Sequence, residues 1–460
     1  MLAKLRVHHS LGRWRLVTVD SDIPYGTLIN AGYRPRILDR RIAEGIEDFG
    51  AVCIEGPKYC GKTWTGQAFS NSETNLMDPE GNFQNLEVAK TDPSAALQGA
   101  CPRLIDEWQE APQLWDGVRN AVDRSAKRRT FVLTGSSIPR AKGQNDGDIP
   151  SPKHTGVGRI EKLRMRPMTL AESGESNGEV SLRDLFAGAL PSCAAPELSL
   201  RDCCELAARG GWPAMMRRPS ERALRVVRGY LREICESDMS RVDGVRRDPD
   251  KVARLLRSLA RNMEQATKSK TIIGDMTETP TDPKLAPETV VDYLQALNRI
   301  FVIEEIGPWS PRLRSRIRVN KRPKYHFADP SLAVAALRAS AGSLEGDLQT
   351  FGFVFECLCV RDLLVYAQAM DAQLYYYRDQ AGLEVDAVIE SPTGQWAGIE
   401  IKLGHNRADE GARNLLAVKR KIVEAGGAAP AFLAVVEGVG RYAYVRDDGV
   451  FVLPIGTLTA

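Results

Sequence analysis

Gly56-Pro57-Lys58-Tyr59-Cys60-Gly61-Lys62-Thr63 decides how this chain is read. Two glycines five apart, followed by Lys-Thr, let consecutive backbone N–H groups converge on phosphate oxygens at a helix N-terminus. In that arrangement the lysine reaches the terminal phosphates and the hydroxyl ligates a magnesium ion. The flanks agree, because Ala51-Val52-Cys53-Ile54 reads as a strand entering the loop and a helix-compatible stretch leaves it. Gly56, Pro57, Lys58, Tyr59, Cys60, Gly61 and Lys62 are therefore expected around the phosphates of ATP, with Thr63 on the metal. A glycine-containing turn that matches by chance is the alternative.

A phosphate-binding loop needs an acidic partner. Leu104-Ile105-Asp106-Glu107 is an apolar run ending in two carboxylates, about 44 residues after Lys62. Asp106 is expected to hold the magnesium ion through water, and Glu107 to polarise the attacking water. An exposed Asp-Glu helix start would look the same, since carboxylates favour helix N-termini. A further strand, Thr130-Phe131-Val132-Leu133, ends in Thr134-Gly135-Ser136-Ser137, where a polar side chain could sense the γ-phosphate. Arg159, within Gly156-Val157-Gly158-Arg159-Ile160, is either an arginine finger for its own or a neighbouring subunit's nucleotide, or a surface salt-bridge arginine.

These motifs run in order: Gly-Pro-x-x-x-Gly-Lys-Thr, Leu-Ile-Asp-Glu-x-Gln with Pro112 after it, Leu-Thr-Gly-Ser-Ser, then Gly-Arg-Ile before Arg166-Pro167-Met168. The set resembles the AAA-type ATPases of bacteria and archaea that carry a C-terminal domain of unknown function, class 4143. Lys58 departs mildly from the arginine more usual there, without threatening phosphate binding. The resemblance implies a parallel-sheet P-loop NTPase core, ATP and magnesium as cofactors, and ATP hydrolysis.

Composition bounds the rest. With 460 residues the chain should hold two to four domains, and 43% hydrophobic with 26% charged residues is ordinary for a globular protein. A net charge of +3 does not by itself indicate nucleic acid. Nine scattered cysteines, without paired ligand spacing, suggest free thiols in a reducing cytoplasm. Five histidines, none near a Cys-x-x-Cys pair, argue against structural zinc. No apolar run approaches the roughly 18 residues of a membrane span, and the N-terminus lacks the apolar core of a signal peptide. A cytoplasmic protein with no membrane partner is expected.

The pattern divides the chain into an N-terminal extension (1–32), a P-loop ATPase core (33–175), a lid-like and linking helical region (176–250), a winged-helix-like region (251–345) and a C-terminal domain (346–460). Lys142 to His154 reads as an exposed loop, and Thr277 to Pro287, with three prolines, as a turn or insertion. In the middle region, the helix ending at Leu297, then Phe301-Val302-Ile303 and Tyr325-His326-Phe327, resemble a winged helix. Arg312, Arg314, Arg316, Arg318, Lys321, Arg322 and Lys324 form a basic stretch that could lie on a DNA backbone, or serve as a solvated face. A protein client is the other candidate partner, and assembly of subunits into homo-oligomers is compatible with the motifs.

The C-terminal chemistry lies in Leu383-Glu384-Val385-Asp386-Ala387-Val388-Ile389-Glu390 and Gly398-Ile399-Glu400-Ile401-Lys402. Both read as strands with alternating faces, so that Val385, Ala387 and Ile389 share one face with Ile399 and Ile401. A hairpin centred near Thr393 places Asp386 opposite Glu400 and Glu384 opposite Lys402. Like charges across strands destabilise unless offset, and a divalent cation would offset them. Glu356, on an apolar helix, could complete that second metal shell, and Lys402 could position a hydroxide or a scissile phosphate. The spacing Glu…Asp-x(13)-Glu-x-Lys is similar to the core of restriction-endonuclease-like, PD-(D/E)xK, domains, which implies metal-dependent phosphodiester hydrolysis. A solvated strand face with a Glu384–Lys402 pair is the bland alternative. Two functions follow: an ATPase that controls a nuclease-like, DNA-associated domain, or a nucleotide-switched binding module without nuclease activity.

Overall fold

The computed structural model describes residues 22–124, 130–139, 152, 154–263, 269–277, 286–312 and 322–460. Helix α1 (Asp39–Phe49) leads into strand β1 (Ala51–Glu55). The turn between them requires Gly50, which closes the helix at φ +87° by donating its N–H to the Ile46 carbonyl. Helix α2 (Lys62–Ala68) follows the phosphate loop, and then come β2 (Ser72–Asn75), β3 (Arg103–Asp106), α3 (Gln113–Arg124), β4 (Phe131–Gly135) and β5 (Ile160–Arg164). The five strands form one sheet in the order β2-β3-β4-β1-β5, every pair parallel. β1 and β4 are buried along their whole length, which is why they are written as near-continuous apolar runs.

Short strands β6 (Val180–Ser181) and β7 (Cys193–Ala194) come next, before helices α4 (Leu200–Arg209) and α5 (Ser220–Glu233). α5 runs on through one π-helical turn, Ile234–Asp238, that brings Asp238 and Arg241 to the phosphate loop. Helices α6 (Pro249–Arg261), α7 (Ser269–Met276) and α8 (Pro287–Arg299) precede an antiparallel hairpin of β8 (Ile303–Ile306) and β9 (Lys324–Phe327). Arg314, Arg316, Arg318 and Lys321 of the basic stretch lie outside the described residues, as do residues 142–151 and 153 of the first expected loop and 278–285 of the second segment.

After α9 (Pro330–Ala336) and the long α10 (Leu348–Gln368) come β10 (Gln373–Arg378), β11 (Glu384–Glu390), β12 (Trp396–Gly404), α11 (Ala408–Glu424), β13 (Phe432–Val439), β14 (Tyr442–Val445), β15 (Phe451–Pro454) and β16 (Leu458–Thr459). Their sheet runs β10-β11-β12-β13-β15-β14-β7. One face packs on α10 through Ala387, Ile389, Ile399, Ile401 and Val436. The other packs on α11 through Val385, Val388 and Val435.

Two expectations need correction. Residues 176–199 do not belong to the helical region: β7 extends the C-terminal sheet beside β14, and β6 pairs with β16. Strands of two residues carry no periodicity, so only long-range pairing reveals them. The second correction concerns Lys324, which does not contribute to an exposed basic face, because it is 1% exposed and turned inward.

Candidate functional site: a phosphate loop and a distant carboxylate cluster

The phosphate loop joins the end of β1 to α2. A side chain at Gly56 would stand 2.1 Å from the Met165 carbonyl oxygen, and Gly61 holds φ +104°, so both positions demand glycine. Lys62, buried, donates from Nζ to the Pro57 carbonyl at 3.0 Å and so lies along the loop. Arg36 braces the loop from behind, donating to the Cys60 carbonyl at 3.0 Å, to the Arg166 carbonyl at 2.8 Å and to Glu172 at 3.0 Å.

β3 brings Asp106 against α2, where Thr63 Oγ1 donates to its carboxylate at 3.0 Å. Thr134, on β4 between the two strands, donates to the same carboxylate and accepts the Glu107 N–H at 3.2 Å. Burial pushes the Asp106 carboxyl above its usual range, against the lowering effect of the Thr134 hydrogen bond. Glu107 sits in the left-handed region at φ +61°, a costly conformation for a residue with a side chain. Its carboxylate accepts hydrogen bonds from Ser136 at 2.9 Å and from Gln109. Thr63 Oγ1 and the Asp106 carboxylate, both hard oxygens in contact, fit the needs of a magnesium ion beside bound phosphates.

These groups line a cavity of about 1350 Å³ between the parallel sheet and the helical middle, walled by Lys62, Thr63, Glu107, Tyr59 and Arg241 among others. Lys58 reaches across to Asp238 at 2.6 Å, and Tyr59 stands edge-on to Tyr230 at 5.4 Å. Arg36, Asp238 and Arg241 were invisible to motif reading, since no spacing rule connects them to the loop.

Arg159 is not brought to this site. It stands one residue before β5, whose first residue Ile160 is level with Ala51, the first residue of β1, whereas the phosphate loop follows the last. Five strand residues separate it from the loop, roughly 16 Å. Its guanidinium pairs with Asp123 at the surface. A role on its own subunit's nucleotide is thereby corrected; the glycine-flanked motif said nothing of which end of the strand it would occupy.

In the C-terminal sheet the hairpin register matches the spacing argument from Glu390↔Trp396 to Ala387↔Ile399, and the ladder ends there. A β-bulge in β11 follows, where Tyr375 pairs with Val388 but Tyr377 pairs with Val385. The extra residue reverses the alternation, so Val385 joins Val388 on the α11 face instead of sharing the face of Ala387 and Ile389. Asp386, at the bulge, accepts the Ile401 N–H at 2.7 Å.

Glu400 and Lys402 come together as expected, with Lys402 Nζ 2.6 Å from Glu400 and 3.7 Å from Asp386. Burial and the nearby Asp386 push the Glu400 carboxyl up to about 7, and Asn414, from α11, donates to it at 2.7 Å. Glu384 is not paired with Lys402: it takes Lys324 at 2.5 Å. Glu356, buried on α10, stands 3.8 Å from His326, whose pKa is pushed down to about 3 by burial and by Lys324, leaving the imidazole neutral. A further buried carboxylate, Glu437, lies on β13 level with Lys402 and accepts from His405 at 3.0 Å. Among the described residues, no three His, Cys, Asp or Glu side chains converge as a metal shell requires. Glu356, Asp386 and Glu400 therefore do not fit a divalent cation in this conformation, because two ammonium groups stand among them.

Among the described residues no helix is long and apolar enough to cross a membrane. Residues 48–173 match the family described as AAA domain, 200–343 a domain of unknown function (DUF8612) and 351–458 a domain of unknown function (DUF4143). The uncharacterized proteins Mb2031c of Mycobacterium bovis and Rv2008c of Mycobacterium tuberculosis are each 24% identical over 364 residues, covering 79% of this chain and 72% of theirs. Two solved structures resemble it distantly. The Walker-type ATPase PABY2304 of Pyrococcus abyssi has a TM-score of 0.40 at 14% identity, covering 67% of this chain and 99% of that one. The Aeropyrum pernix ORC1 protein in complex with DNA has a TM-score of 0.23 at 14% identity, covering 67% and 94%. Neither likeness is close enough to speak for fold or activity. The chain carries an AAA-type P-loop domain ahead of a domain of the DUF4143 type.

Proposed function

We propose that the chain is a magnesium-dependent ATPase whose nucleotide state controls a C-terminal, nuclease-like domain associated with DNA. The observation that carries the ATPase half is the contact of Thr63 with Asp106 on the wall of a cavity that also holds Lys62 and Glu107. The loop N–H groups and Lys62 bind the phosphates. Thr63 and Asp106 hold the magnesium ion, which when bound spreads the charge of the terminal phosphates. Glu107, aimed by Ser136 and Gln109, orients the attacking water and accepts its proton.

The DNA-associated half rests on the basic stretch Arg312, Arg314, Arg316, Arg318, Lys321 and Arg322, and on the Asp386, Glu400 and Lys402 constellation. The winged-helix-like reading of the middle region and its divisions near 250 and 345 are part of the proposal, supported by helices α6, α7 and α8 preceding the β8–β9 hairpin. A nucleotide-switched binding module without nuclease activity, holding DNA or a protein client, is favoured by one specific observation: two of the cluster's carboxylates are already paired with lysines, Glu384 with Lys324 at 2.5 Å and Glu400 with Lys402 at 2.6 Å.

Phosphate release from ATP and magnesium tests the first half. Wild type should turn over, and Lys62→Ala and Glu107→Gln should not; absence of both ATP binding and turnover in wild type would end the ATPase assignment. Nicking of DNA that disappears in Asp386→Ala would separate the two readings of the second half.

A further inference from the structure

Helix α5 carries its charge on the side away from the core. Between Arg217 and Arg232 the chain places six arginines against one carboxylate, Glu221, in a protein whose net charge is only +3. Ala223, Leu224, Val227, Tyr230 and Leu231 form the buried side of the helix. At about 3.6 residues per turn, Arg222, Arg225 and Arg232 fall on the opposite side with Arg228 beside them, and all four are exposed. Arg217 and Arg218, just ahead of the helix, are exposed as well.

The fold does not neutralise this row. Among the described residues, Arg222, Arg225 and Arg232 make no ion pair and no side-chain hydrogen bond. Arg228 is held by a backbone oxygen, donating to the Ala339 carbonyl at 2.9 Å. Like charges three and four residues apart repel on a helix, so the run from Arg222 to Arg232 opposes folding without a local pair to offset it.

The chemistry of the face narrows its partner. The buried side is committed to the core, and Tyr230 stands edge-on to Tyr59 of the phosphate loop at 5.4 Å. A helix that lies on a membrane must instead insert its apolar side among the lipids. The helix exposes no aromatic ring, which single-stranded nucleic acid needs for base stacking. Every cation in the row is an arginine, whose planar fork matches phosphate oxygens two at a time. A side chain at Gly229, within the row, would meet nothing within 4 Å, so the surface is open to close approach. From Arg222 to Arg232 the helix advances about 15 Å, a length over which one strand of duplex presents about four phosphates.

We propose that the exposed arginine face of α5 is a docking surface for the phosphate backbone of duplex DNA. It rests on the reading of the chain as DNA-associated, and it places a contact outside the basic stretch 312–322.

The test is fluorescence anisotropy of a fluorescein-labelled DNA duplex of mixed sequence with the full chain, read as Kd across a series of salt concentrations. Wild type is compared with Arg222→Gln/Arg225→Gln/Arg232→Gln and with Arg222→Lys/Arg225→Lys/Arg232→Lys. The glutamine variant should bind at least about tenfold more weakly, and its slope of log affinity against log salt should be shallower by about 2.7, the value for three lost phosphate contacts. The lysine variant should keep the wild-type slope. Both should bind a fluorescent ATP analogue as wild type does, since the substituted side chains are exposed. Wild-type affinity and slope in the glutamine variant overturn the α5 surface while leaving DNA association standing. No binding of duplex by any form overturns both. Tighter binding of wild type to phosphatidylglycerol vesicles, or to an RNA duplex of the same sequence, overturns DNA as the partner of this face.

Discussion

Thr134→Val replaces a hydroxyl by a methyl group of the same shape at the centre of the nucleotide site. Thr134 is fully buried and does not line the cavity, so the change touches no bound phosphate directly. It does remove two hydrogen bonds at once, the one Asp106 receives and the one that anchors the Glu107 N–H at 3.2 Å. Leaving such a buried group unsatisfied costs about 1–3 kcal/mol. Holding Glu107 at φ +61° costs a similar amount, about 1–3 kcal/mol, so the anchor and the strain it offsets are nearly matched. Without the anchor Glu107 relaxes out of the left-handed region, and Ser136 and Gln109 no longer aim its carboxylate at the cavity. A loss of 1–3 kcal/mol from the positioned state corresponds to a fall of roughly 5- to 150-fold in kcat. Steady-state phosphate release gives kcat, and equilibrium titration with a fluorescent ATP analogue gives Kd. The expected result is a large fall in kcat with Kd changed less than about threefold. If kcat stays within about twofold of wild type, or Kd weakens as much as kcat falls, Thr134 is not a positioning residue for Glu107 and the account of the left-handed carboxylate is wrong.

Arg361 is buried between Asp329 at 3.1 Å and Asp362 at 2.7 Å, and Arg361→Met strands both carboxylates, so unfolding in urea should show a loss of about 3–5 kcal/mol. The Glu400 carboxyl, pushed up to about 7 from an ordinary 4.5, favours its protonated form when folded. Its contribution to stability is therefore full below about 4.5 and lost as the pH rises through about 7, a change of roughly 3 kcal/mol that Glu400→Gln should flatten in urea midpoints measured from pH 4.5 to 8. Arg159→Ala should leave the melting temperature unchanged, because its pair with Asp123 is exposed. Any effect of that variant on ATP turnover should appear only at protein concentrations where subunits assemble, and an effect persisting at high dilution would place Arg159 on its own nucleotide after all.

Much of the nucleotide site was legible because its parts are local in sequence. Gly56 and Gly61 answer to backbone conformation and close approach, and Asp106 and Glu107 end a buried apolar strand, so spacing and residue type were enough to name them. The strand register around Ala387 and Ile399 followed from turn length alone. What no spacing carries is convergence over hundreds of residues. Arg36 behind the loop, Asp238 against Lys58, and β7 at the edge of a sheet otherwise built from residues 373–454 depend on how separate elements pack. The bulge at Asp386 moved Val385 to the other face, because one inserted residue inverts a period of two.

The phosphate loop and the apolar strands around it were thus determined by sequence alone, because short-range geometry and buried apolar runs write them directly into the residue pattern. The state of the C-terminal carboxylates was decided only by tertiary structure. Lys324 looked like one cation in a basic run, and it became the partner of Glu384 because burial there selects whichever charge the fold delivers to balance it.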